Sequence, residues 1–190
     1  MSAHNATNSV RIIGGEWRRR VLRFPEAEGL RPTPDRVRET LFNWLGQNLD
    51  GLTCLDLFAG SGALGFEAAS RGAHKVVMVD SAPRVFAALE ANARLLDSTG
   101  RLELVRSDAV KFVSSTRLRF DVLFLDPPYR QGWIERLIPL LPALLTDNAM
   151  IYAESEAALA ACGEWRTVRH GKAGQVFYHL MRRGGANGAE

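Results

Sequence analysis

Asp56, Gly60, Gly62, Asp80, Asp108 and the tetrapeptide Asp126-Pro127-Pro128-Tyr129 are the residues of this chain whose types and spacing can do chemistry. Gly60 to Gly65 reads GSGALG, a literal G-x-G-x-x-G, and Asp80 follows Gly60 by twenty residues at the end of the next apolar run. Such glycines let the backbone turn tightly and approach a ligand closely, while the carboxylate can accept both hydroxyls of a ribose. Asp56 then decides which nucleotide-like ligand is meant. A carboxylate at the lip of a loop built for pyrophosphate repels that anion, which disfavours NAD and an oxidoreductase. S-Adenosylmethionine has no phosphate and carries an ammonium and a sulfonium, so an acidic lip attracts it. Asp108, in RSDAV, either meets the adenine amine or caps the helix that follows.

Asp126 to Tyr129 ends the apolar run FDVLFLD, which in such sheets lies beside the first strand, near the ligand crevice. Two consecutive prolines fix φ and remove N–H donors, leaving nearby carbonyls free as acceptors. The exocyclic amine of a base is a poor nucleophile because its lone pair is delocalised into the ring. The Asp126 carboxylate and a proline carbonyl can hold its hydrogens and turn the lone pair toward a methyl donor, by positioning and electrostatics more than by base catalysis. Tyr129 offers a face for a base that has left its stack. Together these residues predict methyl transfer to an amine of a nucleic-acid base.

Those groups need a scaffold, and the rest of the chain predicts one. From Leu52 onward, short apolar runs alternate with helical patterns, the signature of a parallel sheet with helices on both faces. Strands are expected at Thr53 to Leu57, Lys75 to Asp80, Leu102 to Arg106, Asp121 to Asp126 and Met150 to Glu154. Helices fit Ala63 to Arg71, closed by Gly72, then Pro83 to Leu96, and Trp133 to Leu145, the last kinked by Pro139 and Pro142. Trp165 to Arg169 and Gln175 to Met181 read as a terminal hairpin. Upstream, RIIGGEWRRRVLRF reads as two strands about Gly14-Gly15 that present arginines. Thr33 is expected to cap a helix starting at Pro34, with Val37, Leu41, Trp44, Leu45 and Leu49 on its packed face and Arg36 and Arg38 turned toward solvent or ligand.

With 190 residues, the chain suits one well-buried core with a small appendage. No apolar run reaches membrane-span length, MSAHNATNSV lacks the features of a signal peptide, and a cytoplasmic protein is expected. Cys54 and Cys162 match no metal or redox spacing, so buried thiols and no metal are expected. The net charge of +3 is unevenly placed: Arg11, Arg18, Arg19, Arg20 and Arg23 fall in a stretch whose single acid is Glu16. That segment can grip phosphate, although arginines outnumber lysines 21 to 3 overall and a solvated surface is the competing reading.

The motifs LDLFAGSG and DPPY with the strand-end Asp80 make the chain resemble class I S-adenosylmethionine-dependent methyltransferases of the amino-methylating branch. RIIGGEWRRR and RPTPDRVRETLFNWL narrow the resemblance to the bacterial family that methylates N2 of a guanine in 16S ribosomal RNA (RsmD type), from about Arg11 to Met181. The resemblance implies an α/β, Rossmann-like fold: a seven-stranded, mostly parallel sheet with helices on both faces and a small N-terminal β-hairpin extension. It places Asp56, Phe58, Gly60, Gly62, Asp80 and Asp108 around the donor, Asp126 to Tyr129 on the guanine amine, and Thr33 and Arg36 near the pocket mouth. Arg18, Arg19 and Arg20 run consecutively where the family's hairpin carries a small residue, so which arginines meet phosphate stays open. The implied organisation is a disordered tail over 1–10, an RNA-contacting extension over 11–34, the methyltransferase domain over 35–183 and a tail over 184–190. A monomer acting on 16S rRNA or the small ribosomal subunit is expected. A DNA adenine-N6 methyltransferase and a non-catalytic, RNA-binding ribosome-assembly factor are the alternatives.

Overall fold

A computed structural model of the chain describes residues 7–26, 30, 32–98 and 100–184. Strands β1 (Thr7–Arg11) and β2 (Val21–Pro25) pair antiparallel and lead into helix α1 (Asp35–Leu45). Helices then alternate with strands: β3 (Thr53–Asp56), α2 (Ala63–Ser70), β4 (Lys75–Asp80), α3 (Pro83–Leu95), β5 (Leu102–Arg106), α4 (Ala109–Ser115) and β6 (Phe120–Leu125). Next come α5 (Trp133–Leu137), a 3-10 turn over Ile138–Leu140, α6 (Leu141–Leu144) and β7 (Leu145–Ser155). The chain continues through β8 (Ala161–Cys162), β9 (Trp165–Ala173) and β10 (Val176–Arg183). Of the tail expected over 184–190, Gly184 alone lies among the described residues.

The large sheet runs in the order β5-β4-β3-β6-β7-β10-β9-β8, with β5 to β7 parallel and the last three strands antiparallel. It holds the seven expected strands plus the two-residue edge strand β8. Successive residues of each central strand are buried on opposite faces, which is why these strands read as unbroken apolar runs. Cys54, Val76, Met78, Val122, Phe124 and Tyr152 join the core under α1, α2 and α3; Leu55, Val77, Val79, Leu123, Leu125 and Ile151 join the core under α4, α5 and α6. The expected helix over Trp133 to Leu145 is broken into three short pieces, because Pro139 and Pro142 remove amide donors where a continuous helix needs them. β7 is correspondingly longer than expected, starting at Leu145. Cys54 and Cys162 are both buried, and burial pushes their thiols up to about 12 and about 11.

The N-terminal residues depart most from expectation. β1 begins at Thr7, inside the segment expected to lack order, because Thr7 to Arg11 pairs in register with Pro25 to Val21. Residues 1–6 of that segment lie outside the described residues. Val10, Ile12, Trp17, Leu22 and Phe24 are buried in the same core as Leu41, Phe66 and Leu89, so the extension is a layer on α2 and α3. Glu67 of α2, fully buried, fastens it: its carboxylate accepts from Ile13 N (2.9 Å), Gly14 N (2.7 Å), Arg71 Nε (2.9 Å) and Arg38 Nη1 (3.3 Å). Arg38 is therefore buried, where solvent or ligand was expected, because α1 turns it inward onto Glu67.

Candidate functional site

β3 lies between β4 and β6, so the chain order reverses there and a crevice opens at the carboxyl ends of β3 and β6. Gly60 and Gly62 take φ of +50° and +79° in the loop from β3 to α2, a region that disfavours side chains. A Cβ on Gly60 would crowd Leu30, and one on Gly62 would overlap Phe66. Asp80 Oδ2 accepts from Gly60 N at 3.0 Å and Oδ1 from Ala82 N at 2.9 Å, so the strand-end acid also shapes the glycine loop. Asp108 caps α4, its Oδ1 accepting from Lys111 N at 3.0 Å. Phe58 flanks the loop and meets Trp133 edge-on at 5.2 Å.

Asp56 sits deeper than the expected lip. It is buried beneath the loop, where its Oδ2 accepts from Gly65 N at 2.9 Å in the first turn of α2. Burial pushes its carboxyl up to about 7, against the Gly65 amide and with the nearby Asp80 adding to the rise. The acceptor loop begins directly after β6: Pro127 is buried, Pro128 exposed, and Tyr129 41% exposed. Burial, with the carboxylates of Glu154 and Asp56 nearby, holds the Asp126 carboxyl well above the usual carboxylate range. The Tyr129 phenol is raised by burial and by Asp126, Glu154 and Glu156.

Glu154 is the neighbour that motif reading misses. β6 and β7 are parallel, with Phe124 opposite Tyr152 and Leu125 opposite Ala153, and the next residues along the two chains are Asp126 and Glu154. Glu154 is buried, and its Oε1 accepts both from Tyr152 OH (2.7 Å) and from Thr33 Oγ1 (2.9 Å). Burial raises its carboxyl while the two hydroxyls oppose the rise. Thr33 is thus no helix cap: α1 starts at Asp35 behind Pro34, and the Thr33 hydroxyl reaches across to β7. Arg38 Nε donates to Thr33 O at 3.1 Å and keeps that segment in place. The signal available in the chain was the pair Tyr152 and Glu154, two apart and hence on one strand face beside Asp126.

The arginines divide. Arg36 is exposed in the first turn of α1, close to Thr33, and Arg11 lines a groove with Thr33 and Asp35. Arg18, Arg19 and Arg20 lie elsewhere. Their turn docks on the C-terminal ends of α2 and α3, with Glu16 N donating to Ser70 O and Arg20 Nη2 to Leu95 O. Those helix ends lie toward the amino ends of the strands, the opposite end of the sheet from the acceptor loop.

The donor expected at this site is cationic, and the residues fit it. Positive-φ glycines open the loop to close approach, and the partners of Asp56 and Glu154 are an amide and two hydroxyls, so their negative charge has no cationic side chain among these bonds. Known proteins resemble the chain along almost all of its length. The family model described as "Conserved hypothetical protein 95" matches residues 10–182. Ribosomal RNA small subunit methyltransferase D of Escherichia coli is 43% identical over 185 residues, covering 95% of this chain and 93% of that protein. The protein of the same name from Haemophilus influenzae is 42% identical, covering 94% and 96%. A solved structure of a candidate methyltransferase from Escherichia coli superposes with a TM-score of 0.82 at 43% identity, covering 93% of this chain and 98% of that one. Matched in this way by the family model and by these relatives, the chain belongs to the family of the ribosomal RNA small subunit methyltransferases D.

Proposed function

We propose that this protein transfers a methyl group from S-adenosylmethionine to the exocyclic N2 amine of a guanine in 16S rRNA of the small ribosomal subunit. One observation carries the reading: the glycine loop with its acids and the Asp126-Pro127-Pro128-Tyr129 loop meet at the carboxyl ends of adjacent strands β3 and β6. Bound there, S-adenosylmethionine supplies an electrophilic methyl group. Asp80 would accept from the ribose hydroxyls alongside the Gly60 and Ala82 amides, Asp56 would supply negative charge under the cationic portion, and the glycines would admit the ligand. Tyr129 stacks the extruded base, and Asp126 with a proline carbonyl holds the amine hydrogens. Transfer would form the N–C bond as the sulfonium S–CH3 bond breaks and leaves a neutral thioether, and the proton the amine then sheds would go to the ionised Asp126 carboxylate, whose raised range suits it to accept.

Arg11 and Arg36 can meet phosphate near the pocket, whereas the Arg18 to Arg20 turn would touch RNA remote from the target base. Purified protein with tritiated S-adenosylmethionine is expected to label small-subunit particles, and mass mapping should place the label on one guanine. Label appearing in duplex DNA alone would instead favour adenine methylation. Asp126→Ala is expected to bind the particle normally and to lose methyl transfer by at least about 100-fold, as removal of a positioned catalytic group does. Unchanged transfer would remove Asp126 from the mechanism and favour the assembly-factor reading.

A further inference from the structure

We infer that Glu154 reads the guanine: its free carboxylate oxygen accepts the N1–H of the flipped base while Asp126 holds the adjacent N2 amine. The inference rests on the proposed function and names the element that selects the base. Asp126 directly follows Leu125 of β6, whose partner on the parallel strand β7 is Ala153, and Glu154 directly follows Ala153. The two acids thus leave adjacent strand positions side by side, close enough for Glu154 to add to the rise that burial gives the Asp126 carboxyl. Both hydrogen bonds to Glu154 fall on Oε1, from Thr33 and Tyr152, and among the described residues none reaches Oε2. The residue is only 6% exposed, yet among the described residues no basic group caps this remaining oxygen.

The Watson–Crick edge that a flipped base presents decides what such a pair accepts. Guanine offers N1–H and N2–H side by side, two donors for two carboxylates. Adenine offers its N6 amine beside N1, an acceptor, so a second carboxylate would face a lone pair and repel it. In its ionised form, an acid beside Asp126 therefore favours guanine. Thr33 and Tyr152 orient Glu154 by occupying Oε1, which leaves Oε2 for the base.

The test compares wild type with Glu154→Gln on small-subunit particles rebuilt with either guanine or 2-aminopurine at the mapped target. 2-Aminopurine keeps the N2 amine but presents an acceptor at N1. Glutamine retains an oxygen for Thr33 and Tyr152 and turns an amide donor toward the base. Wild type is expected to prefer guanine in kcat/KM by roughly 10- to 100-fold, the range of a specific base contact, and Glu154→Gln to lose or reverse that preference. Thermal unfolding of Glu154→Gln should stay near wild type, and Thr33→Val, which loosens Glu154, should narrow the preference partially. An unchanged guanine preference in Glu154→Gln overturns the inference while leaving the proposed function standing. Failure of wild type to methylate guanine at all overturns both.

Discussion

Buried beneath the glycine loop with one amide for a partner, Asp56 has its carboxyl pushed up to about 7, so its charge varies near neutrality. A carboxyl raised on folding favours the folded state fully only below its unfolded value of 3.8, and that advantage disappears as pH rises through about 7. Cation binding follows the opposite sign, because it requires the ionised form. Affinity for S-adenosylmethionine should therefore tighten by up to about tenfold per pH unit from pH ~5.5 to ~7, below the range where an α-amino group titrates. Titration calorimetry across that range checks it, and Asp56→Asn should bind more weakly with a flatter slope. At Tyr129, replacement by Ala is expected to lower kcat/KM by about 1–3 kcal/mol of lost stacking, with Phe nearly neutral. Steady-state kinetics on particles separates the two. Asp80 and the glycines are legible in the chain because both lie within one strand-loop-helix-strand unit at fixed spacing. Glu154 is not, since its partners Thr33 and Asp126 come to it through sheet register and a long crossing of the chain.

At the scale of elements, the buried Glu67 of α2 joins α1, α2 and the N-terminal extension through Ile13, Gly14, Arg38 and Arg71. Removing one partner of a buried ion pair leaves the other charged and desolvated, a loss of about 3–5 kcal/mol. Glu67→Ala should unfold that much more easily in denaturant titration, and limited proteolysis should then cut first between Gly14 and Pro25. Gly15 belongs to the same attachment: φ is +74°, and a Cβ there would overlap Ser70 O. The strands and α2, α3 were readable from period and punctuation because their neighbours in sequence are their neighbours in space. The extension's burial was not. Its Glu16 and arginines mark a polar hairpin, whereas the apolar residues between them, Ile12, Trp17 and Leu22, face a core contributed by residues far along the chain. Arg38 was misplaced for the same reason, since a helical wheel shows its face but not the acid waiting on α2.

For the whole molecule, the two ends of the sheet have different surroundings. One carries the acidic pocket, and the other carries the Arg18 to Arg20 turn. Arg20 is tied to Leu95 O, whereas Arg18 and Arg19 are exposed with no side-chain partner among the described residues. If that turn grips RNA, Arg18→Ala and Arg19→Ala should each reduce the slope of log affinity against log salt by about one, with kcat at saturating particle unchanged. Filter binding over a salt series reads this directly, and a constant slope would confine the RNA footprint to the pocket end. The Thr33 to Glu154 hydrogen bond spans 121 residues. A chain leaving its own ribosome therefore exposes the segment before α1 long before β7 exists to receive it. The glycine loop can form early from local contacts, but the wall that Thr33 and Glu154 build beside Asp126 closes only when β7 arrives, so on the proposed reading a nascent or truncated chain would hold donor before it could choose a base.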